Sequence, residues 1–451
     1  MEILLIIAYS SLFIFLICRL PFFRTSGISA PALSFLFVLK LFFGFSLWAI
    51  YTFYYPNRAT ADIYKYFDDS EVIFNALKTK PLDYFKMLLG IGNDTPAFDE
   101  YYSKMHYWAR KNSLGSYNDG HTVIRFNAFI RLFSLGFYTV HTVFICFISF
   151  IGLTAIYKVF LPFLKNKKKE LLFAVFLLPS VLFWGSGVLK EGLLFFTLGL
   201  FLYYFQRPFN WKTFFMCSVM GVLTAVSKFY VWLAISPGLF FLFIIRKTGT
   251  QKLLLKYTVV ILSTVVIGTT IDRYTTIQNP LVTLTQKQIE FNSLATGQNQ
   301  DANHQNIPAA GSRISIPPLQ PTLTSFLQNA PIALWNVFVR PYPTEMKSAM
   351  MLPVGVENLF TFVIAALCLI YRLPYSEIKW EYVLFCFSFV IIQFLIIGET
   401  TPVLGAIARY KVPALPFLVI GFLLMLDKEK IVKKMPVLQK IFGNDVLNPK
   451  Q

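Results

Sequence analysis

The chain has 451 residues, of which 56% are hydrophobic and only 14% are charged, and its mean hydropathy is +0.58. A water-soluble fold could not remove so many apolar segments from solvent, so the composition predicts a polytopic membrane protein. The net charge of +18 does not indicate nucleic-acid binding, because about half of the 41 Lys and Arg residues lie in short loops between apolar segments, where they act as topology signals.

Eleven apolar windows predict an all-α fold, a helical bundle of about eleven transmembrane helices that forms one membrane domain over residues 1–451. We expect a single bundle because none of the helices has an aqueous core of its own. In chain order the predicted helices are Ile3–Cys18, Ala32–Tyr54, Thr139–Phe160, Leu171–Trp184, Val188–Phe205, Thr213–Val226, Val231–Ile245, Leu253–Ile271, Pro353–Tyr371, Val383–Ile397 and Val412–Leu426.

The fourth and fifth predicted helices, within Leu171–Phe205, are shorter than the roughly 20 residues that span a bilayer. This stretch could instead be a single broken helix or a re-entrant hairpin. The distribution of basic residues along the chain favours the hairpin.

The basic residues of the short loops divide unevenly between the two sides of the membrane. If every predicted helix crosses, one side carries 21 Lys and Arg residues and the other side carries four. Because short cytoplasmic loops are enriched in Lys and Arg, the first side is predicted to be cytoplasmic. The N-terminus then lies outside, and residues 427–451 form a basic cytoplasmic tail. Both long loops, 55–138 and 272–352, are predicted to be extracytoplasmic.

The two long loops differ in composition. In the first, apolar residues recur at helical spacing, which predicts amphipathic helices that lie on the membrane surface. In the second, residues 275–321 are rich in Gln, Asn, Thr and Pro, which predicts a partly mobile loop or lid. The apolar residues of the first loop are Tyr64, Phe67, Val72, Ile73 and Leu77.

Four basic residues fall on the predicted outer side, against the charge rule that the rest of the chain follows. Cations at membrane depth suit a phosphate or pyrophosphate, to which Arg offers a bidentate fork and a helix N-terminus adds backbone donors. For any one of them, snorkelling of the side chain or capping of a helix explains the position equally well. For the four together a binding function is favoured, because charge of this kind is costly there. The four are Lys190, Lys228, Arg409 and Lys411.

Acidic residues cluster just after the second predicted helix. A carboxylate at the mouth of a membrane cavity could accept the proton of a sugar hydroxyl that attacks an activated carbon. Asp62 is the preferred candidate because it lies nearest the end of the helix. For Asp69 and Glu71, helix capping or a solvated position in a loop is the favoured interpretation.

Aromatic residues of the first loop, Tyr101, Tyr102, Tyr107 and Trp108, fit stacking against sugar faces, but an aromatic belt at the membrane interface predicts the same composition. The four histidines are scattered, and the five cysteines lie singly in apolar segments, so no metal site is predicted. The chain has no glycine-rich phosphate loop and no recognisable Ser/His/Asp pattern. The sequence therefore assigns no cofactor and leaves only a divalent cation open.

Three elements together resemble bacterial polytopic membrane glycosyltransferases of the GT-C type and the related polysaccharide polymerases of the Wzy and EpsG groups. In the GT-C enzymes the first outer loop supplies a catalytic Asp or Glu, which the resemblance transfers to Asp62. The usual adjacent acidic pair occurs instead at Asp68 and Asp69, so all three are candidate bases. The outer-face arginines of the polymerases implicate Arg409 and Arg340. The matching elements are the acidic stretch around Asp62, residues 179–187 running into Lys190 and Glu191, and residues 405–413 with Arg409, Tyr410 and Lys411.

The resemblance implies a multi-pass protein of the bacterial inner membrane that moves a sugar or oligosaccharide from a carrier lipid to an acceptor on the outer face. The expected partners are a sugar donor linked to polyprenyl phosphate or pyrophosphate, a glycan acceptor and membrane lipids, with no nucleic acid. A transporter or flippase for an anionic lipid-linked glycan would use the same cations without chemistry. A membrane scaffold of an envelope complex is the third alternative.

Overall fold

The computed structural model describes residues 1–55, 58, 61–108, 118–275, 278–297, 309–346 and 351–434. Within these ranges the chain is helical, and its β-structure is limited to two isolated bridges, Arg313 with Val403 and Arg372 with Leu426. The first ten helices are α1 (Glu2–Arg19), α2 (Pro21–Arg24), α3 (Ala30–Ala49), α4 (Asp62–Thr79), α5 (Pro81–Leu89), α6 (Asp99–Tyr102), α7 (Gly120–Ser134), α8 (Tyr138–Phe160), α9 (Lys168–Leu172) and α10 (Pro179–Trp184). The others are α11 (Lys190–Phe205), α12 (Trp211–Ser227), α13 (Phe229–Thr248), α14 (Leu253–Thr270), α15 (Pro280–Thr296), α16 (Leu323–Val339), α17 (Leu352–Ile370), α18 (Trp380–Thr400), α19 (Leu404–Tyr410), α20 (Leu415–Met425) and α21 (Lys428–Lys434).

Short turns of other helix types join these elements. Two are π-helical turns that continue α3 and α9, at Ile50–Tyr54 and Phe173–Leu177. Turns of 3-10 helix lie at Pro96–Phe98, Leu161–Phe163, Lys165–Lys167, Ile271–Arg273, Pro343–Glu345 and Val412–Ala414.

Eight helices in the described part of the chain are long and apolar enough to cross a membrane. They coincide with eight of the predicted windows, so the all-α membrane fold is confirmed, whereas the number of eleven crossings is not established. A segment in lipid must satisfy its backbone hydrogen bonds internally, which is why apolar runs of this length form helices. The eight spans are Glu2–Arg19, Ala30–Tyr54, Tyr138–Phe163, Phe229–Thr248, Leu253–Arg273, Leu352–Ile370, Trp380–Thr400 and Leu404–Met425.

The three other predicted helices are short or interrupted. The fourth window breaks at Leu178, whose extended backbone (φ −60°, ψ 127°) is the conformation that a following proline favours, and Pro179 is the signal for this break in the sequence. The fifth window forms α11, with 16 residues, and the sixth forms α12, with 17 residues. The hairpin expected within Leu171–Phe205 stays a prediction.

The chain divides into two compact units, each built from two separate stretches of sequence. Unit 1 comprises Met1–Val159 and Val181–Phe229, and unit 2 comprises Phe160–Ser180 and Tyr230–Gln451. A division by internal contacts is compatible with one membrane domain or with two, so the single membrane domain stays a prediction.

Two glycines bring helices of unit 1 into backbone contact. A Cβ atom on Gly152 of α8 would lie 1.9 Å from the carbonyl oxygen of Phe195, and one on Gly199 would lie 2.1 Å from the carbonyl oxygen of Gly152. Small residues permit such close packing between membrane helices. The crossing of α8 and α11 therefore fixes the position of α11, which begins with Lys190.

The first long loop folds into helices that pack on one another. The predicted amphipathic helix exists as α4, which packs against α5 and α7. Its apolar residues Tyr64, Phe67 and Ile73 are buried, and the rings of Tyr64 and Phe67 contact Tyr138 at the start of α8. Arg131 of α7 is also buried, and its guanidinium donates to the Ser70 hydroxyl (2.8 Å) and to the Phe67 carbonyl (2.8 Å). The expected position of this face on the membrane surface is thus wrong, because α5, α7 and the start of α8 cover it.

The second long loop contributes helices to unit 2. Gln288 of α15 is buried, donates to the carbonyls of Pro317 (2.8 Å) and Glu399 (2.7 Å), and accepts from the backbone N–H of Leu319 (2.8 Å). This one side chain ties α15, an extended segment and the end of α18 together. Residues 298–308, in the middle of the predicted lid, lie outside the described residues.

Candidate functional site

Asp62 occupies the first position of α4 and is half-buried. Its carboxylate accepts a hydrogen bond of 2.7 Å from the Tyr107 hydroxyl. The dipole of a helix favours a negative charge in its first turn. Asp62 is therefore held as a carboxylate at the head of the helix, with a phenol against it.

Asp68 and Asp69, the adjacent acidic pair, have separate partners in unit 1. Asp68 receives two hydrogen bonds from Arg58, 3.0 Å and 2.5 Å long, in a pair that is largely exposed. Asp69 is 1% exposed and accepts from the backbone N–H groups of His106 (2.7 Å) and Tyr107 (2.7 Å). Burial raises the pKa of Asp69, and the two N–H donors offset part of that rise. Both carboxylates thus hold local structure.

Both candidate cations of unit 1 form ion pairs. The Lys190 ammonium lies 2.6 Å from the carboxylate of Asp119, and the Lys228 ammonium lies 2.7 Å from that of Glu191. Glu191 lies in the first turn of α11 and Lys228 at the end of α12, so each charge complements the dipole of its own helix. A phosphate bound by Lys228 would have to compete with a carboxylate buried beside it.

Asp62 and Lys190 are joined through two tyrosine rings. The rings of Tyr107 and Tyr66 lie 5.3 Å apart, and the Lys190 ammonium lies 5.5 Å from the centroid of Tyr66. Lys65 covers the Tyr107 ring at 4.7 Å. The structure therefore brings one predicted base and one predicted cation into a single aromatic cluster.

Trp108 does not offer a free face to a sugar. Its ring is stacked between Tyr102, at 4.7 Å and 13°, and His121, at 3.9 Å and 14°. Tyr101 is buried and donates to Asp83 (3.1 Å). These aromatic residues hold the first loop together, so neither sugar stacking nor an interfacial belt describes Trp108.

A buried Ser–His–Asn chain was not recognisable in the sequence. The two ring nitrogens of His141 lie 2.7 Å from the Ser134 hydroxyl and 2.7 Å from the amide oxygen of Asn127. Because the Asn127 amide group donates to the Val123 carbonyl, its oxygen accepts from the imidazole, and the imidazole in turn accepts from the serine. All three side chains are fully buried, so this chain fastens α7 to α8 and is closed to a substrate.

Lys411 and Arg340 meet at Asn358 in unit 2. The Lys411 ammonium is 1% exposed and donates to the Asn358 amide oxygen (2.6 Å) and to the Val337 carbonyl (3.5 Å). The Asn358 amide donates to the Arg340 carbonyl (2.9 Å). The Arg340 guanidinium pairs with Glu345, which raises the pKa of Arg340 and lowers that of Glu345.

A buried carboxylate lies beside Asn358 on α17. Glu357 is 2% exposed and accepts from the backbone N–H (3.2 Å) and hydroxyl (2.5 Å) of Ser180. Its charge attracts that of Lys411. Together they make a polar patch inside an otherwise apolar part of unit 2.

A small cleft opens at this patch. Lys411, Asn358 and Thr361 are its polar lining residues and the others are apolar, so it combines a cation with a largely hydrocarbon lining. The lining residues are Val337, Phe338, Asn358, Thr361, Phe362, Phe394, Lys411, Leu415 and Leu418.

Arg409 lies on α19, two residues before Lys411. Its guanidinium is 5.2 Å from the centroid of the Tyr410 ring. That ring contacts Tyr230 at 6.3 Å and Phe291 at 6.2 Å, and the Tyr410 carbonyl accepts from Gln393 (2.9 Å). Arg409, Arg340 and Lys411 thus belong to unit 2, whereas the acids of α4, Lys190 and Lys228 belong to unit 1.

Glu399 is a residue that the sequence reasoning missed. It lies in the last turn of α18 and is 5% exposed. Among the residues that the structure describes, its carboxylate accepts no hydrogen bond and has no basic group within 4.0 Å. The available signal is an acidic residue that directly follows an apolar window, on the predicted outer side and in the loop that carries Arg409.

Neither a metal site nor a related protein identifies the function of these residues. Over the described ranges, no group of three or more His, Cys, Asp and Glu side chains could hold a metal ion. The chain matches no protein-family model, no curated protein and no solved structure.

Proposed function

We propose that this chain is a membrane glycosyltransferase or polysaccharide polymerase. It transfers a sugar or oligosaccharide from a polyprenyl-phosphate or polyprenyl-pyrophosphate carrier to a glycan acceptor on the outer face of the bacterial inner membrane. The observation that carries the proposal is Lys411, a buried cation that lines a small and largely apolar cleft of unit 2. A cation among apolar side chains favours a ligand that joins an anionic group to a hydrocarbon chain.

The phosphate of the carrier is proposed to bind Lys411 and Arg409. The hydrogen bonds of the Lys411 ammonium go to neutral oxygens, and its one nearby acid, Glu357, is engaged with Ser180. The ammonium therefore gains from an incoming anion, because attraction between charges is stronger away from water. Arg409 adds a planar fork suited to two phosphate oxygens. Arg340, engaged with Glu345, supports this region through its contact with Asn358.

The residues of unit 1 have secondary roles in this proposal. Asp62, next to the Tyr107 hydroxyl, is the base that the resemblance implies. Lys190 and Lys228 would reach a phosphate only by exchanging their carboxylate partners. Asp68 and Asp69 would support the loop that carries Asp62.

Contacts inside each unit agree with the sides predicted for the segments when eleven crossings place both long loops outside. In unit 1, the first loop meets a predicted outer segment where Asp119 pairs with Lys190. In unit 2, Lys428 pairs with Glu170, and Leu373 donates to the Met425 carbonyl (2.9 Å), so three predicted inner segments meet. In both units, segments that the prediction places on the same side of the membrane contact each other.

The test starts from cells depleted of the protein. We expect them to accumulate a polyprenyl-linked glycan, which mass spectrometry of the lipid extract would identify. That lipid is then reconstituted with the purified full-length protein and the glycan fraction of the same cells in proteoliposomes. Release of the free carrier phosphate together with a lengthened glycan is the expected result.

The same experiment separates an enzyme from a transporter. A flippase would move the lipid-linked glycan between leaflets without breaking the bond between sugar and phosphate. Accumulated lipid that stays chemically intact in proteoliposomes, while becoming accessible on the opposite leaflet, would refute the transferase and support transport. A scaffold would do neither.

A further inference from the structure

Glu399 is placed where a negative charge is disfavoured. Only 5% of its surface is exposed to solvent, and no cation of the described residues lies within 4.0 Å of its carboxylate. It also lies in the last turn of a 21-residue helix, where the helix dipole repels an anion. An ionised carboxylate costs stability under these conditions, and a ligand that donates a hydrogen bond to it offsets that cost.

The other acid of the same helix shows the contrast. Glu381 lies in the first turn of α18, where the dipole favours a carboxylate, and it is only half-buried. Glu381 thus has a structural explanation that Glu399 lacks. The two residues make a matched pair within one helix.

The acids of α4 also have structural partners. Asp62 accepts from Tyr107, Asp68 pairs with Arg58, and Asp69 holds two backbone N–H groups. The carboxylate of Glu399 has no comparable partner within the described residues, and its oxygens are not fully enclosed. The oxygens thus keep a small exposed area through which a hydroxyl group would have to approach.

We infer that Glu399 binds the hydroxyl group of the glycan acceptor and takes its proton during transfer. This inference rests on the function proposed above and names the group that binds the second substrate. The acceptor oxygen forms a bond to the anomeric carbon while the bond from that carbon to the carrier phosphate oxygen breaks. The hydroxyl proton passes to the Glu399 carboxylate, and the bonding electrons leave with the phosphate.

The position of Glu399 relative to the cations suits this reaction. Gln393 binds the Tyr410 carbonyl, and Glu399 follows six residues later on α18, which is about 9 Å along a helix axis. On α15, Gln288 contacts the backbone of Glu399 and Phe291 contacts the Tyr410 ring, so one helix runs past both points. A displacement needs its base and its leaving group on opposite sides of a sugar ring, several ångströms apart.

The decisive variant is Glu399→Gln in the full-length protein, assayed in proteoliposomes with the accumulated glycan lipid. We expect turnover to fall by roughly 10² to 10⁴, because the amide keeps the shape but cannot accept the proton. Binding of undecaprenyl phosphate, followed by tryptophan fluorescence, should stay within about twofold of wild type. Glu399→Ala should regain part of its turnover with added formate. Glu381→Gln is the control and should keep wild-type turnover.

The alternative results have separate meanings. Wild-type turnover in Glu399→Gln would overturn the role of Glu399 and leave the proposed function standing, as would a dead Asp62→Asn beside an active Glu399→Gln. Loss of undecaprenyl phosphate binding in Glu399→Gln, with no formate rescue of Glu399→Ala, would show a structural residue and overturn the inference. Absence of turnover in the wild-type protein would remove the proposed function, and the inference with it.

Discussion

Buried charged side chains are the residues that define this protein, and their partners separate structure from function. Glu191 and Lys228 are 1% and 2% exposed and neutralise each other at helix ends. Lys411 is equally buried but is held by an amide and a carbonyl oxygen. The charges of Glu191 and Lys228 compensate each other fully, whereas that of Lys411 is compensated only in part. We therefore expect removal of Lys228 to lower stability and removal of Lys411 to lower ligand binding.

Arg409→Ala is expected to abolish transfer of the lipid-linked glycan while the protein stays in the membrane. Losing a charge-assisted, two-point contact to phosphate costs about 2 to 3 kcal/mol or more of binding. Arg409→Lys should restore activity only in part, because an ammonium cannot present the same fork. Transfer assays in proteoliposomes measure both variants. The control is Arg273→Ala, an exposed arginine on the same predicted side, and normal transfer by Arg409→Ala would exclude Arg409 from the site.

Lys228→Ala is expected to destabilise the protein by about 3 to 5 kcal/mol, because it leaves the Glu191 carboxylate buried without its partner. The double variant Glu191→Ala with Lys228→Ala should lose less than the sum of the two single variants. Equilibrium unfolding in mixed detergents measures all four proteins. A stable Lys228→Ala protein that fails to bind undecaprenyl phosphate would instead return Lys228 to the phosphate site.

At the scale of elements, helix ends are closed by side chains from other segments. Lys167 is 3% exposed and donates to the carbonyls of Leu423 (2.7 Å) and Leu426 (2.5 Å) at the end of α20. The last carbonyls of a helix have no donors of their own, and a cation there also complements the dipole. Burial nevertheless lowers the pKa of Lys167 to about 8.

The stability of the folded protein is expected to increase from pH 8 towards pH 10.5 through Lys167. Its folded pKa, about 8, lies below its ordinary value of 10.5, so in this window the unfolded chain binds more protons than the folded one. Raising the pH therefore favours the folded state, and below pH 8 the contribution is constant. Thermal unfolding of wild type and Lys167→Met at both ends of the window measures it. The other lysines titrate equally in the wild type and in Lys167→Met. If the stability of both proteins changed equally with pH, the expectation for Lys167 would be contradicted.

At the scale of the whole molecule, sidedness in the membrane is the property that sequence and structure address together. Exposed positions for labelling are Lys168, the first residue of α9, and Asp94 and Gln320 in the first and second long loops. We expect an impermeant thiol reagent to reach cysteines at Asp94 and Gln320 in intact cells, and a cysteine at Lys168 only after permeabilisation. The variants are made in a chain whose five native cysteines are replaced by serine. If only the cysteine at Lys168 were labelled in intact cells, the topology would be the inverse of the predicted one.

Hydropathy by itself determined the fold class of this protein. Eight predicted windows coincide with the eight helices able to cross a membrane, because a lipid-facing backbone has no alternative to internal hydrogen bonds. Pro179 could also have located the break at Leu178. Composition and spacing were sufficient to predict these helices, because helix formation in a membrane depends on neighbouring residues of one segment.

Only the tertiary structure decided which charges are compensated. Lys228 finds its partner 37 residues away, Asp69 is used by the backbone of His106, and Glu399 is left alone in a buried position. A sequence pattern reports that a residue is charged, but its partner depends on which helix faces meet. Burial increases the electrostatic free energy of a charge that has no partner. Packing therefore also determines which residues we assign to binding and catalysis.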